Sequence, residues 1–136
     1  MNLIIESKID ITKFCEWLIK EIQNYMQLNL NKQKASKFDE YINEHVLMYP
    51  KRLLSSSEII IAAAYNLIIR KSQNSYIIEL DPNRFIPNTS AKFISIINTI
   101  NYGSLTLAPY PIFTETFNHF SNNIEEYLDI YLKEMS

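Results

Sequence analysis

Few side chains in this 136-residue sequence have a type and spacing that could do chemistry. Glu115 precedes His119 by four residues, a spacing that puts both on one side of a helix and within reach of a shared metal ion. His45, the other histidine, follows Glu44 and lies far from His119 in the sequence. We therefore interpret both pairs as surface residues of helices and predict no metal site.

Cysteine and glycine usage excludes further kinds of site. Cys15 could be a nucleophile beside a histidine, but it falls in an apolar helical stripe, where cysteine behaves as a small hydrophobe. One cysteine forms neither a disulfide framework nor a multi-cysteine zinc site. The single glycine, Gly103, cannot supply a glycine-rich phosphate loop. We expect a buried thiol, no catalytic residue, no cofactor and no enzymatic activity.

Charged side chains are unevenly distributed, although 13 basic and 15 acidic residues leave a net charge of −2. The C-terminal segment is acidic, with Glu125, Glu126, Asp129 and Glu134. The first half has a basic bias, with Lys32, Lys34, Lys37, Lys51, Arg52, Arg70 and Lys71. This asymmetry suits head-to-tail association, in which the acidic face of one copy meets the basic face of the next.

The total charge and the lengths of the apolar runs argue against nucleic acid and membrane as partners. A near-neutral balance argues against broad nucleic-acid binding, and we expect no sequence-specific nucleic-acid partner. The N-terminal apolar run of three residues is too short for a signal-peptide core. No window approaches the roughly 20 apolar residues that span a bilayer, so we expect no membrane partner.

Apolar spacing predicts two helices in residues 1–50. Between Asp10 and Leu28, apolar residues recur at the spacing of one helix face. After a polar link, a second helical pattern begins near Phe38 and ends at Pro50, because the residue before a proline avoids the α region.

The segment 59–69 is ambiguous between helix and strand. Three alanines and a cap at Ser57 favour a helix, whereas five isoleucines favour a strand. Polar residues 71–74 separate the segment from a clear short strand at 75–80, and a connection of that length suits a hairpin. We favour two antiparallel strands and keep the helix as the alternative.

Three further elements complete the chain. A helix with an apolar stripe from Phe93 to Ile100 ends at Gly103, the expected position of a C-cap glycine. Residues 104–108 alternate strictly, which predicts a short strand. A long helix over about 112–133 closes the chain.

Together these elements predict one domain of the α+β class over residues 1–136. It would contain N-terminal helices in residues 1–50, followed by a small antiparallel sheet with a hairpin. The second part, residues 51–136, would hold that hairpin, a helix, a proline–aromatic loop and the long C-terminal helix.

Residues 101–113 concentrate aromatic side chains, two prolines and the only glycine. Aromatic residues are favoured in interface cores because they bury large areas at low entropic cost. We predict a contact surface here, and the alternative is a tightly packed connection between two helices. The candidate interface residues are Tyr102, Leu105, Leu107, Tyr110, Pro111 and Phe113.

The second part of the chain resembles the small neck and tail-completion (head–tail joining) proteins of tailed bacteriophages. The resemblance rests on residues 53–57 leading into the proposed hairpin, on 97–103, on 109–113 and on the closing helix. Ser104 stands where threonine often follows the glycine, and residues 82–87 are an insertion relative to the pattern.

This resemblance implies a non-catalytic structural protein of the virion, assembled in the host cytoplasm and without a cofactor. Copies would form a homo-oligomeric ring between the head portal and the tail, in contact with the portal, the tail tube or neighbouring ring proteins. The alternative is a small intracellular regulator, such as an antitoxin or an anti-defence protein. Such a regulator would bind one host protein through its acidic last helix.

Overall fold

The computed structural model describes every residue from Met1 to Ser136 and contains three strands and seven helices. Their order is β1 (Asn2–Glu6), α1 (Thr12–Asn29), α2 (Lys32–Ser36), α3 (Asp39–His45), α4 (Ser56–Ala64), β2 (Leu67–Ser72), β3 (Ser75–Leu80), α5 (Phe93–Tyr102), α6 (Ile112–Asn122) and α7 (Ile124–Met135). The predicted α+β class is confirmed. None of the helices is both long enough and apolar enough to cross a membrane.

The strands form one antiparallel sheet in the order β1-β3-β2. β1 is not predicted from the sequence, because its apolar residues are three in a row and do not alternate with polar ones. β2 and β3 form the predicted hairpin, but two residues join them rather than 71–74, since Lys71 and Ser72 belong to β2. Gln73 in this turn has a φ of 56°, the positive value that tight hairpin turns require.

The segment 59–69 is divided between a helix and a strand. Ser55, rather than Ser57, caps α4: its Oγ accepts a hydrogen bond from the Glu58 N–H at 3.1 Å and donates one to Glu58 Oε1 at 3.0 Å. This reciprocal pair starts the helix, which continues through the alanines to Ala64. The strand prediction is therefore wrong for residues 59–64, and the strand begins only at Leu67.

Three shorter predictions also change. Residues 104–108 form a turn rather than a strand, and the Ser104 N–H donates to the Leu107 carbonyl at 2.9 Å. The second helical pattern ends earlier than predicted, at His45, and the polar link before it contains α2. The closing helix is interrupted at Asn123, which separates α6 from α7.

The predicted C-cap at Gly103 is confirmed. Its φ is 77°, and its N–H donates to the Thr99 carbonyl at 2.8 Å. A Cβ at this position would lie 2.7 Å from the Leu107 carbonyl oxygen, so a side chain would be strained and would also clash. The chain can therefore turn sharply from α5 into the loop before α6.

One hydrophobic core lies between the inner face of the sheet and the helices. The predicted stripe of α1 is buried there, with Phe14, Cys15, Leu18, Ile22 and Met26. α6 packs against β1, α1 and α5 and buries Ile112, Phe113, Thr116, Phe117 and Phe120. α7 packs against α1 and α6 and buries no residue.

Candidate interaction surfaces

The single cysteine is part of the core. The Cys15 side chain is fully buried, as predicted. Burial, with a smaller contribution from the charges of Asp10 and Glu16, raises the pKa of the Cys15 thiol to about 11. The thiol is therefore protonated at neutral pH, and the side chain acts as a small apolar group.

Both histidines stack on tyrosine rings. His45, which is exposed, stacks on Tyr41 of its own helix, with ring centroids 4.4 Å apart. His119 stacks on Tyr25 of α1 at 4.3 Å, and its Nε2 lies 2.8 Å from Tyr127 Oη of α7. His45 is a surface residue as predicted, whereas His119 is only half-exposed and also contacts α1 and α7. No group of three or more His, Cys, Asp or Glu residues could hold a metal ion.

α7 is attached to α1 mainly through aromatic rings. The Tyr131 ring lies 5.3 Å from Phe14 and 5.5 Å from Trp17, measured between centroids. Glu134 Oε2 accepts a hydrogen bond from Trp17 Nε1 at 2.8 Å. The other three acidic side chains of α7 are exposed and make no hydrogen bond within the chain. Most of the acidic face is therefore free to meet another molecule.

The six predicted interface residues are divided between the surface and the core. Tyr102 and Leu105 are exposed, Leu107 and Pro111 are half-buried, and Tyr110 and Phe113 are buried. Phe113 belongs to the buried face of α6, so a partner cannot reach it. The prediction of a surface contact is thus wrong for Tyr110 and Phe113.

Hydrogen bonds explain why Tyr110 faces inward. Its Oη accepts from the Asn31 N–H at 2.9 Å, and its own N–H donates to the Ile100 carbonyl at 2.8 Å. The buried Asn101 amide donates to Thr114 Oγ1 at 2.7 Å and accepts from the Thr114 N–H at 3.1 Å. Both ends of the loop are thereby held against the core, and only the turn between them protrudes.

That protruding turn forms the first apolar surface. Leu105 is completely exposed, at 107%, and Tyr102 is 58% exposed. Ser104 Oγ accepts from the N–H groups of Thr106 and Leu107, so the turn has a defined shape. We call Tyr102 and Leu105 the turn surface.

A second apolar surface, not predicted from the sequence, lies on the loops before α4 and before α5. The two loops adjoin through a β-bridge between Met48 and Thr89, with the Tyr49 N–H donating to the Asn88 carbonyl at 3.1 Å. Four large side chains on them are at least half exposed: Leu47, Tyr49, Leu53 and Phe85. We call these four residues the loop surface. The only sequence signal for them is that apolar residues continue beyond the end of the helical pattern.

A third apolar area is the outer face of the sheet. Ile4 of β1 is 51% exposed and pairs in register with Ile77 of β3, which lies outside the hydrophobic core cluster. An ion pair between Arg70 Nε and Glu79 Oε1, at 2.9 Å, flanks these isoleucines. β1 and β2 each pair only with β3, so both are edge strands.

Comparison of the chain with family models, with curated proteins and with solved structures finds no match.

Proposed function

We propose that this chain is a non-catalytic structural protein of a phage virion that forms a homo-oligomeric ring at the neck or tail. The observation that carries the proposal is the position of the two exposed apolar loop regions. The turn surface follows the C-terminus of α5, and the loop surface adjoins its N-terminus. A ten-residue helix is about 15 Å long, so the two surfaces are separate patches at its two ends.

Exposed apolar side chains at these positions do not stabilise the isolated chain. Burial of apolar area is worth about 25 cal/mol per Å², and Leu105 gains none of it in the monomer. Grouped exposure of this kind is typical of surfaces that bind another protein. Two separate surfaces on one subunit allow each copy in the ring to contact other proteins of the particle at two places.

The sheet offers a further means of assembly. The edge strands β1 and β2 have backbone groups that another chain can pair with by strand addition. The second part of the chain resembles neck and tail-completion proteins, and this resemblance is the reason to propose a ring in a virion. In such a ring, the portal, the tail tube or neighbouring ring proteins would contact the turn surface and the loop surface.

The native mass of the assembly tests this proposal. The tagged protein is purified gently from its natural source, and the particle is sized and its proteins are identified. We expect a megadalton particle that contains capsid proteins. A species below about 50 kDa without virion proteins would contradict the proposal, because that mass holds at most three copies of a 16.0 kDa chain.

A matched pair of variants tests whether the turn surface is needed for incorporation into the particle. Leu105→Asp places a charge where the partner would bury an apolar side chain, and we expect the variant to be absent from particles. Thr106→Asp places the same charge on the next exposed residue and should remain incorporated. Equal incorporation of both variants would exclude the turn surface as a contact.

One observation favours a second candidate, the small intracellular regulator. α7 carries four acidic residues and buries none of its side chains, as expected of a helix that binds a basic partner. In the same purification, a complex with one host protein, with no virion proteins, would support the regulator.

A further inference from the structure

α7 and the start of α1 border a groove that no part of the chain fills. Its volume is about 560 Å³, within the range of sites that bury apolar groups. Its apolar lining consists of Ile9, Ile11, Phe14, Leu128, Tyr131 and Leu132. Ile9 is 73% exposed and Leu132 is 54% exposed. The groove therefore leaves apolar area that a second protein could cover.

The two elements that border this groove both carry a net negative charge, and this charge selects the occupant. α7 carries Glu125, Glu126, Asp129 and Glu134 against Lys133, which gives 1 − 4 = −3. The charged residues of the groove wall on α1 and just before it are Asp10, Lys13 and Glu16, which give 1 − 2 = −1. Like charges disfavour a second α7 in the groove, whereas a basic occupant is favoured.

The chain itself carries the complementary surface. Residues 31–37 contain Lys32, Lys34 and Lys37, all exposed, and no acidic residue, which gives +3. Leu28, in the last turn of α1 just before them, is 85% exposed. An exposed leucine beside three lysines matches an apolar groove with an acidic border.

The two surfaces lie toward opposite ends of α1. This helix has 18 residues and is about 27 Å long, so the groove at its start cannot receive Leu28 of the same molecule. We infer that the groove between α1 and α7 of one copy receives Leu28 and the basic α2 of the next copy. This inference rests on the proposed ring and identifies its lateral contact, leaving the turn and loop surfaces for other proteins of the particle.

Charge reversal on each side tests the contact in the purified full chain by native mass spectrometry. We expect the wild type to form oligomers that dissociate as salt is raised. A variant with Glu125→Lys and Asp129→Lys, and another with Lys34→Glu and Lys37→Glu, should each be monomers of about 16 kDa. Mixed one to one, the two variants should assemble again, because each altered surface then meets its complement.

Matched controls separate the contact from general charge effects. Glu40→Lys with Glu44→Lys changes two exposed acidic residues of α3, and Lys51→Glu with Arg84→Glu changes two exposed basic residues of the loops before α4 and α5. Both control variants should assemble as the wild type does. If the control variants also dissociate, or if the mixture stays monomeric, the inference is wrong.

Leu28 tests the apolar part of the contact. Leu28→Asp should raise the dissociation constant of the oligomer at least about tenfold, as expected when an anchor side chain is lost. Asn24→Asp places the same charge one turn earlier on the exposed side of α1 and should have little effect. Equal effects of the two changes would contradict a role for Leu28.

The outcomes distinguish this inference from the proposed function. A wild type that stays monomeric at its highest soluble concentration contradicts the inference. Pairing of two α7 helices instead predicts that the Lys34→Glu and Lys37→Glu variant still assembles, which also overturns it. In either case, recovery of the chain from purified particles decides the proposed virion role separately.

Discussion

α6 and α7 are separated by one residue, and the sequence predicts a single amphipathic helix across both. α6 buries five residues and packs against β1, α1 and α5. α7 buries none and lies mainly against α1 and α6. An amphipathic pattern shows that a helix has a face for packing, but it does not say whether the same chain supplies the partner. The apolar residues of α7 that face away from α1 are therefore candidates for contact with another molecule.

Asn123 is where the two helices diverge. Its Nδ2 donates to the His119 carbonyl at 2.8 Å, and the same carbonyl also accepts the Asn123 backbone N–H at 3.2 Å. His119 in turn contacts Tyr25 of α1 and Tyr127 of α7. These contacts connect the junction of α6 and α7 to α1.

The largest expected effect tests the α6 side of the comparison. Phe117 is 2% exposed in α6, so Phe117→Ala should lower the free energy of unfolding by about 3–5 kcal/mol. Urea unfolding followed by circular dichroism measures the change. A loss below about 1 kcal/mol would mean that α6 is no more firmly packed than α7.

The buried thiol of Cys15, in the core that α6 helps to form, should make the free energy of unfolding depend on pH above about pH 9. The pKa of Cys15 rises from 9.0 to about 11 on folding, so above about pH 9 the unfolded chain loses a proton that the folded chain keeps. The free energy of unfolding should therefore fall between about pH 9 and 11, by up to about 2–3 kcal/mol. Below that window the thiol contributes no pH dependence.

Cys15→Ala is the control for this alkaline loss, because the titrations of tyrosines and lysines are common to both chains. The difference in free energy between wild type and variant should change with pH only within that window. A difference that stays constant from pH 7 to pH 11 would show that the thiol ionises equally in the folded and unfolded chains.

A smaller effect is expected where α7 meets α1. Tyr131→Ala removes ring contacts with Phe14 and Trp17, and we expect a loss of about 1–2 kcal/mol. Tyr131→Phe should be close to wild type, because a phenylalanine ring keeps the contacts with Phe14 and Trp17. Thermal unfolding of both variants measures the difference, and a large loss in Tyr131→Phe would contradict this account of the contact.

The smallest effect is expected on the free side of α7. Leu132 is 54% exposed, so Leu132→Ala should change the free energy of unfolding of the monomer by less than about 0.5 kcal/mol. The measurement is urea unfolding at a dilution where the chain is monomeric. A loss comparable to that of Phe117→Ala would show that α7 is a core helix, and the contrast between the two helices would fail.

The sequence was sufficient where a pattern was long or where one residue type was decisive. The stripe of α1 spans several turns and predicted both the helix and its buried face. Gly103 was recognisable because a helix end that turns at positive φ favours glycine. The buried Cys15 followed from its place in the α1 stripe.

The sequence was insufficient where a pattern was short or where contacts distant in the chain decided the outcome. β1 depends on pairing with β3, more than sixty residues away, which local spacing does not encode. In the segment 59–69, a helix begins because Ser55, two residues before the predicted cap, bonds to Glu58. Tyr110 appeared suited to an interface, yet its hydrogen bonds to Asn31 and Ile100 direct it inward.

The sequence by itself determined the α+β class, the α1 stripe, the hairpin and the acidic character of the last helix. Periodicity, capping chemistry and charge are local properties, so they can be identified directly in one sequence. The tertiary structure alone decided which apolar side chains remain exposed. Leu105 and Phe113 are equally apolar in the sequence, but one is at the tip of a turn and the other is in the core. Burial depends on what the rest of the chain brings to a residue, and so do the surfaces left for a partner.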